Sequence, residues 1–216
     1  MIADMMDRRW LQGILAGFAF TIFGALLAVQ ATAAEEQQAE GFIQELAFNG
    51  IAMLENSSVT PAERELEFRK LVKKGFALEA IGKFVVGRYW RDMSADQQDE
   101  YLELFSEWLL KTYANRLGGY SGQKLLVLKS METDSRYKDV IVSTQLDLAN
   151  GQPPINADWR VRKFNNEFKI IDVSIEGASM VGTQRREFES VIRKVGVDGL
   201  LNELRDRLAV LVANSG

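Results

Sequence analysis

The stretch that decides the fold is 140-VIVSTQLDLANGQPPINADWRVRKFNNEFKIIDVSI-175. Apolar and polar residues alternate through Val140–Leu148, with Val140, Val142, Leu146 and Leu148 on one side and Ser143, Gln145 and Asp147 on the other. Asn150-Gly151 and Pro153-Pro154 make a turn. Alternation resumes through Ile155–Lys163, where Ile155, Ala157, Trp159 and Val161 face one way and Asn156, Asp158, Arg160 and Arg162 the other. Asn165-Asn166 turns the chain again into Phe168–Ile175. A period of two, broken by tight turn residues, predicts an antiparallel meander with one buried face. Lys124–Lys129 is a further candidate strand at its leading edge.

Helical signals lie on both sides of this block. Upstream, Phe42, Ile43, Leu46, Ile51 and Leu54 recur at helical spacing over Ala39–Leu54. Thr60-Pro61-Ala62-Glu63 and Ser94-Ala95-Asp96-Gln97 are capping boxes. The first opens a helix to about Lys73, which Gly75 closes; Phe76–Val86 follows as a short apolar helix. The second opens the longest helix, to about Leu117, which Gly118-Gly119 stops. Downstream, helices are expected from about Ser179 to Lys194 and, with Asp198 as N-cap, to Leu211. Helices, then sheet, then helices give an α+β layout.

The long helix has an unusually broad apolar side. At 100° per residue, Tyr101, Leu102, Leu104, Phe105, Trp108, Leu109, Leu110, Tyr113 and Leu117 span an arc of about 240°. A helix lying on a single sheet needs a stripe of only about 100° or somewhat more. Either the helix is central, with neighbours on several sides, or part of the arc lines an apolar cavity beneath the sheet.

Composition narrows the chemistry. The 216 residues include no histidine and no cysteine. Imidazole and thiolate nucleophiles, Ser-His-Asp triads, Cys/His metal sites and disulfides are therefore impossible. Net charge is −4, from 26 basic and 30 acidic side chains, which argues against a nucleic-acid partner. No catalytic residue, metal ligand or cofactor site is assigned. Asp172 and Glu176 read as structural hydrogen-bonding groups.

The N-terminus reads as an export address. Arg8 and Arg9 precede the uncharged run Leu11–Val29, followed by Ala31-Thr32-Ala33. These are the three parts of a signal peptide. The run is also close to the ~20 residues that span a bilayer, so an uncleaved anchor competes with cleavage. The expected organisation is a signal over 1–33 and one domain over 34–216, helical over 34–118, sheet over 124–176 and helical over 179–211.

Several strings together resemble the MlaC family, also called the toluene-tolerance family. They are Phe84-Val85-Val86-Gly87-Arg88-Tyr89-Trp90-Arg91, then Ser94, Gln97, Phe105, Leu109 and Thr112-Tyr113-Ala114-Asn115-Arg116-Leu117. They continue in Asp158-Trp159-Arg160-Val161, in 172-DVSIEGASM-180, and in Arg186, Phe188, Gly196 and Asp198-Gly199-Leu200. The resemblance runs from roughly Gly41 to Leu208. It implies a curved antiparallel sheet, similar to the nuclear-transport-factor type, packed by helices. It also implies a periplasmic phospholipid shuttle between an outer-membrane lipoprotein complex and an inner-membrane ABC lipid transporter, the system that maintains outer-membrane lipid asymmetry. Hopanoid-associated relatives make a polycyclic triterpenoid an alternative cargo. A membrane-anchored interaction module of the same fold, with a filled core, is the alternative function.

Within that reading, the candidate acyl-chain wall comprises Val142, Leu146, Trp159, Val161, Ile171 and Val173 from the strands. Phe76, Ile81, Phe84, Val85, Tyr101, Phe105 and Trp108 face them from the helices. Lys73, Lys74, Arg88 and Arg91 are candidates for a lipid headgroup or a docking partner, alongside the plainer reading of a solvated basic face.

Overall fold

A computed structural model describes residues 33–115, 122–148 and 150–213. Residues 1–32 of the signal segment, the Gly118-Gly119 helix stop and Leu117 lie outside the described residues. Among the described residues, no helix is long and apolar enough to cross a membrane.

Helix α1 covers 33–55. It is followed by α2 (Pro61–Gly75), α3 (Leu78–Val86), a 3-10 helix (Gly87–Asp92) and α4 (Ala95–Ala114). The strands are β1 (Lys124–Glu132), β2 (Val140–Asp147), β3 (Ile155–Phe164), β4 (Glu167–Ile175) and the two-residue β5 (Ala178–Ser179), and α5 (Met180–Ala213) closes the chain. The sheet is antiparallel in sequence order β1-β2-β3-β4-β5.

Both capping boxes form. The Thr60 hydroxyl accepts from the Glu63 N–H at 3.2 Å, and Glu63 Oε2 accepts from the Thr60 N–H at 2.8 Å. Ser94 and Gln97 exchange the same pair of bonds. Each box satisfies two donors that a helix start leaves without intrahelical partners.

Several boundaries differ from the expectation: α1 begins at residue 33 instead of Ala39, β1 runs on to Glu132 instead of Lys129, and α3 begins at Leu78 instead of Phe76. Phe76, in extended backbone, and Ala77 precede α3. Phe76 forms a parallel bridge with Ile170, and the Ala77 N–H donates to the Ile170 carbonyl at 3.0 Å. The apolar run at 76–86 concealed this, because a buried strand residue and a buried helix residue look alike. At the other end, α5 is two helices joined at Gly196, whose φ of 75° suits a residue without Cβ. Asp198, just after the break, accepts from Gln97 Nε2 at 2.7 Å, tying α5 to the start of α4.

Two apolar clusters result. The first is helical: Ile81, Val85 and Val86 of α3, Tyr101 and Phe105 of α4, and Phe188, Ile192, Leu200, Leu201 and Leu204 of α5. Phe188 stands edge-on to Phe105, with ring centres 6.2 Å apart, and contacts Tyr101 and Trp108. Gly82 lets α3 and α4 approach, since a Cβ there would lie 3.1 Å from Leu102 and Phe105. The Tyr101 hydroxyl donates to the Gly82 carbonyl at 2.9 Å, and burial pushes the phenol pKa far up.

The second cluster joins Val140, Val142, Val161 and Ile170 of the sheet to Ala39 and Ile43 of α1. The α1 helix is also held near its N-terminal end: Glu36 accepts from the Glu132 N–H, Glu40 from Ser130, and Glu35 pairs with Lys163.

Asp139, fully buried at the entry to β2, fastens the opposite face of the sheet. Arg162 bonds both its carboxylate oxygens at 2.7 and 2.9 Å, and Arg160 Nε bonds Oδ2 at 2.8 Å. Burial alone would raise the carboxyl pKa, but the bonds from Arg162 and Arg160 outweigh it and hold it below the ordinary 3.8. A depressed folded-state pKa contributes stability that is complete above the unfolded value and lost as pH falls through the folded one.

Two consequences are measurable. Asp139→Asn should cost about 2–3 kcal/mol in urea unfolding at pH 7, below the full value of a dry pair because both arginines are partly solvated. That difference from the parent should shrink as pH falls below 3.8. Phe188→Ala, which empties the centre of the helical cluster, should cost about 3–5 kcal/mol at any pH.

Candidate functional site

Antiparallel register assembles the expected strand wall. Val142 lies opposite Trp159, and Trp159 opposite Val173. Val140 lies opposite Val161, and Val161 opposite Ile170. Leu146, half-buried, continues the same face between Leu125 and Ile155. Ile171 does not join this register. A β-bulge between Arg160 and Val161 passes from Asp172 to Ile170, leaving Ile171 without a partner in β3. One extra residue shifts the parity of everything beyond it. Ile170, fully buried, therefore holds the position that uninterrupted alternation assigned to its neighbour.

The Trp159 indole is satisfied within this face. Trp159 Nε1 donates to the Thr144 hydroxyl at 2.9 Å, which donates to the Ala157 carbonyl at 3.1 Å. Thr144 is buried and fixes the indole against the sheet. Ser130, opposite Val142, is a further polar group of this face and donates to Glu40 of α1, while the wall residues themselves are aliphatic and aromatic.

The helical half of the expected wall lies elsewhere. Ile81, Val85, Tyr101, Phe105 and Trp108 belong to the helical cluster, where α4 packs on α2, α3 and α5. Helix neighbours on several sides account for most of the 240° arc; Tyr113 is 43% exposed, and Leu117 lies outside the described residues. Phe84 faces outward and is 52% exposed, because the buried face of α3 is set by Ile81, Gly82, Val85 and Val86. Phe76 is the one helical-side candidate that packs against both clusters.

What covers the sheet face is α1, through Phe42, Ile43 and Leu46. Their helical spacing was visible in the sequence, but nothing in that spacing says which surface a helix covers. Val127, Leu125, Ile170 and Phe168 complete the layer. Phe42 and Phe168 meet with ring centres 6.2 Å apart.

The basic candidates occupy two separate places. Lys73 and Lys74 are exposed at the end of α2, where Lys74 pairs with Glu45 of α1 at 3.3 Å. Arg88 and Arg91 are exposed on the 3-10 helix, with Arg88 4.0 Å from Glu189 of α5. They do not form one headgroup pocket. Asp172 accepts from the Ser179 hydroxyl and the Val181 N–H, and Glu176 from the Asn156 N–H. Both are structural hydrogen-bonding groups, as the sequence suggested. Among the described residues, no cluster of acidic side chains could hold a metal ion.

Two open clefts flank these layers. One, of about 320 Å³, lies between α1 and α2 and is lined by Asn49, Met53, Glu67, Lys70, Leu71 and Lys74. The other, of about 460 Å³, is lined by Trp108, Thr112, Asp206, Arg207, Val210 and Leu211.

Comparison with known proteins agrees with this architecture. A curated relative, the intermembrane phospholipid transport system binding protein MlaC of Haemophilus influenzae, is 30% identical over 131 residues. The aligned stretch is 59% of this chain and 60% of that relative's length. A solved structure of a phospholipid-binding protein from Ralstonia solanacearum, in complex with a phospholipid, superposes with a TM-score of 0.69. That match covers 81% of this chain and 98% of the other at 24% identity, a likeness of fold. The profile of the family described as MlaC protein matches residues 43–206, from the middle of α1 to the last turns of α5. The chain belongs to the MlaC family.

Proposed function

We propose that this protein binds a phospholipid and is the soluble periplasmic carrier of a lipid transport system, exported by its N-terminal signal. It would receive and deliver lipid between an outer-membrane lipoprotein complex and an inner-membrane ABC transporter. The observation that carries this reading is the continuous apolar face of Val142, Leu146, Trp159, Val161, Val173 and Phe76, in a chain of the MlaC family. The names of its relatives, a phospholipid transport binding protein and a phospholipid-binding protein, supply the ligand class.

The energetics suit a carrier. Each buried CH₂ is worth about 0.8 kcal/mol, so a 16-carbon chain exposed to water costs on the order of 12 kcal/mol. Phe42, Ile43 and Leu46 of α1 would each lose about 1.5–3 kcal/mol on leaving the sheet. An incoming acyl chain buries more apolar surface than these side chains release. On this reading, lipid enters by displacing α1, and the helical cluster stays packed as the rigid half of the fold. Binding of this kind uses no nucleophile, metal or proton transfer, so no enzymatic activity is proposed.

The filled interface between α1 and the sheet favours a second reading, an interaction module that holds no lipid. The two readings separate cleanly. Organic extraction of protein purified from the periplasm, followed by mass spectrometry, should recover phospholipid at near-stoichiometric yield. Protein that carries none, and takes none from phospholipid vesicles, would leave the interaction module.

The route of entry has its own test. A Cβ built on Gly75 of α2 lies 2.8 Å from Leu46 Cδ1 and 3.6 Å from its Cγ, so Leu46→Cys with Gly75→Cys is placed to form a disulfide. The chain has no other cysteine to interfere. Oxidised, this variant should take up fluorescent phospholipid at least tenfold more slowly than when reduced. Equal uptake in both states would show that lipid does not pass beneath α1.

A further inference from the structure

Phe84 is an exposed aromatic side chain beside the buried face of α3, at the head of a set of arginines on the 3-10 helix and α5. The Arg185 guanidinium of α5 lies over its ring, 4.8 Å from the centre. Arg185 can lie there because the next turn is Gly87, at φ 61°, where a Cβ would come within 2.9 Å of its Nη2. Arg88 follows and stacks on Tyr89 at 5.0 Å. Arg91 comes three residues later, and in a 3-10 helix side chains at that spacing eclipse, so Arg88 and Arg91 share a side. On α5, Glu189 and Arg193 follow Arg185 at successive turns; Glu189 lies 4.0 Å from Arg88 and 3.5 Å from Arg193.

These contacts make one continuous seam between α3, the 3-10 helix and α5. Four arginines, Arg185, Arg88, Arg91 and Arg193, and two carboxylates, Glu189 and Asp92, lie along it; Glu189 pairs with Arg88 and Arg193, and Asp92 acts on Arg88. The local balance is positive on a chain whose net charge is −4. At the rim, Lys83 is balanced by Glu79 and stacks on Trp90 at 5.1 Å.

We propose that this seam docks on the surface of a bilayer containing anionic phospholipid. Guanidinium groups bind phosphate oxygens in paired geometry, and aromatic rings favour the headgroup level of a bilayer. The arrangement suits a surface better than a single phosphate. Arg185 and Arg193 are eight residues apart on α5, roughly 12 Å along its axis, so the charges are spread out instead of converging. A few basic residues and one aromatic give attraction that is reversible, since firm anchoring takes stronger or multiple signals. The seam lies on the outer surface, and the inference stands independently of what fills the space beneath α1.

The test is co-sedimentation of the exported full chain with vesicles of equal parts phosphatidylglycerol and phosphatidylcholine, and with pure phosphatidylcholine vesicles. Binding should occur to the anionic vesicles at low salt and fade at high salt, as screening requires. Arg88→Gln with Arg91→Gln, both at exposed positions, should weaken it about twentyfold, roughly fivefold for each charge. Lys124→Gln with Lys129→Gln, exposed on β1, removes the same charge elsewhere and should change binding less than twofold. Phe84→Ser should weaken binding severalfold while leaving its salt dependence in place, which gives a second readout at an exposed side chain. No preference for anionic vesicles, or equal losses in the two double variants, would overturn the proposal. Retention on an acidic polypeptide without vesicle binding would overturn the bilayer as partner.

Discussion

The architecture depends on how the chain passes from α2 to α3. Phe76 leaves the helical part as extended backbone, pairs with Ile170 at the outer side of β4, and packs its ring in both apolar clusters. The Ala77 N–H donates to the Ile170 carbonyl, so the junction is fixed by backbone as well as by burial. Because α3 starts at the next residue, this bond sets where the helical cluster sits against the sheet. Asp172, on the same strand, completes the joint from the other side by accepting from the start of α5. One strand thus carries the attachment of both the preceding and the following helices.

The two clusters have different mechanical characters. The helical one is built from rings and aliphatic side chains interlocked on three elements, with close approach at Gly82 and a ring network around Phe188. Such a core resists change because every side chain is bounded by several others. The sheet cluster is roofed by a single helix, and the polar contacts of α1 lie at its margins: Glu35 with Lys163, Glu36 with Glu132, Glu40 with Ser130, Glu45 with Lys74. Ion pairs at exposed margins contribute little, and apolar contact is not directional. On the proposed reading a roof of that kind is exchanged for another apolar surface while the helical core stays packed. That contrast is what allows a fold with a filled interior to be read as a carrier.

Much of the fold was legible in the sequence because the signals were local. Alternation along 140–175 marked β2, β3 and β4 to within a residue, and Thr60–Glu63 and Ser94–Gln97 marked the starts of α2 and α4, since capping is decided within four residues. The break near Gly196 was likewise visible between two helical patterns. The candidate site was less legible. Val142, Trp159, Val161 and Val173 were found together because register follows alternation. Ile171 was misplaced because a bulge depends on the twist and pairing of two strands, which one strand's sequence does not display. Phe84 was assigned inward because it sits in an apolar run; only the packing of α3 shows which residues of that run have neighbours.

The sequence by itself determined the elements, the antiparallel order of the sheet, the absence of thiol and imidazole chemistry, and the family resemblance that the profile match supports. These follow from covalent composition and from short-range geometry, where each residue's period and neighbours suffice. Tertiary structure decided that α4 lies among helices, that α1 covers the sheet, that the basic residues divide between two places, and that Phe84 lies under Arg185 at the surface. Hydrophobic burial is the reason. It rewards contact without naming the partner, so an apolar stripe states that something covers it and leaves the identity of that neighbour to the whole chain.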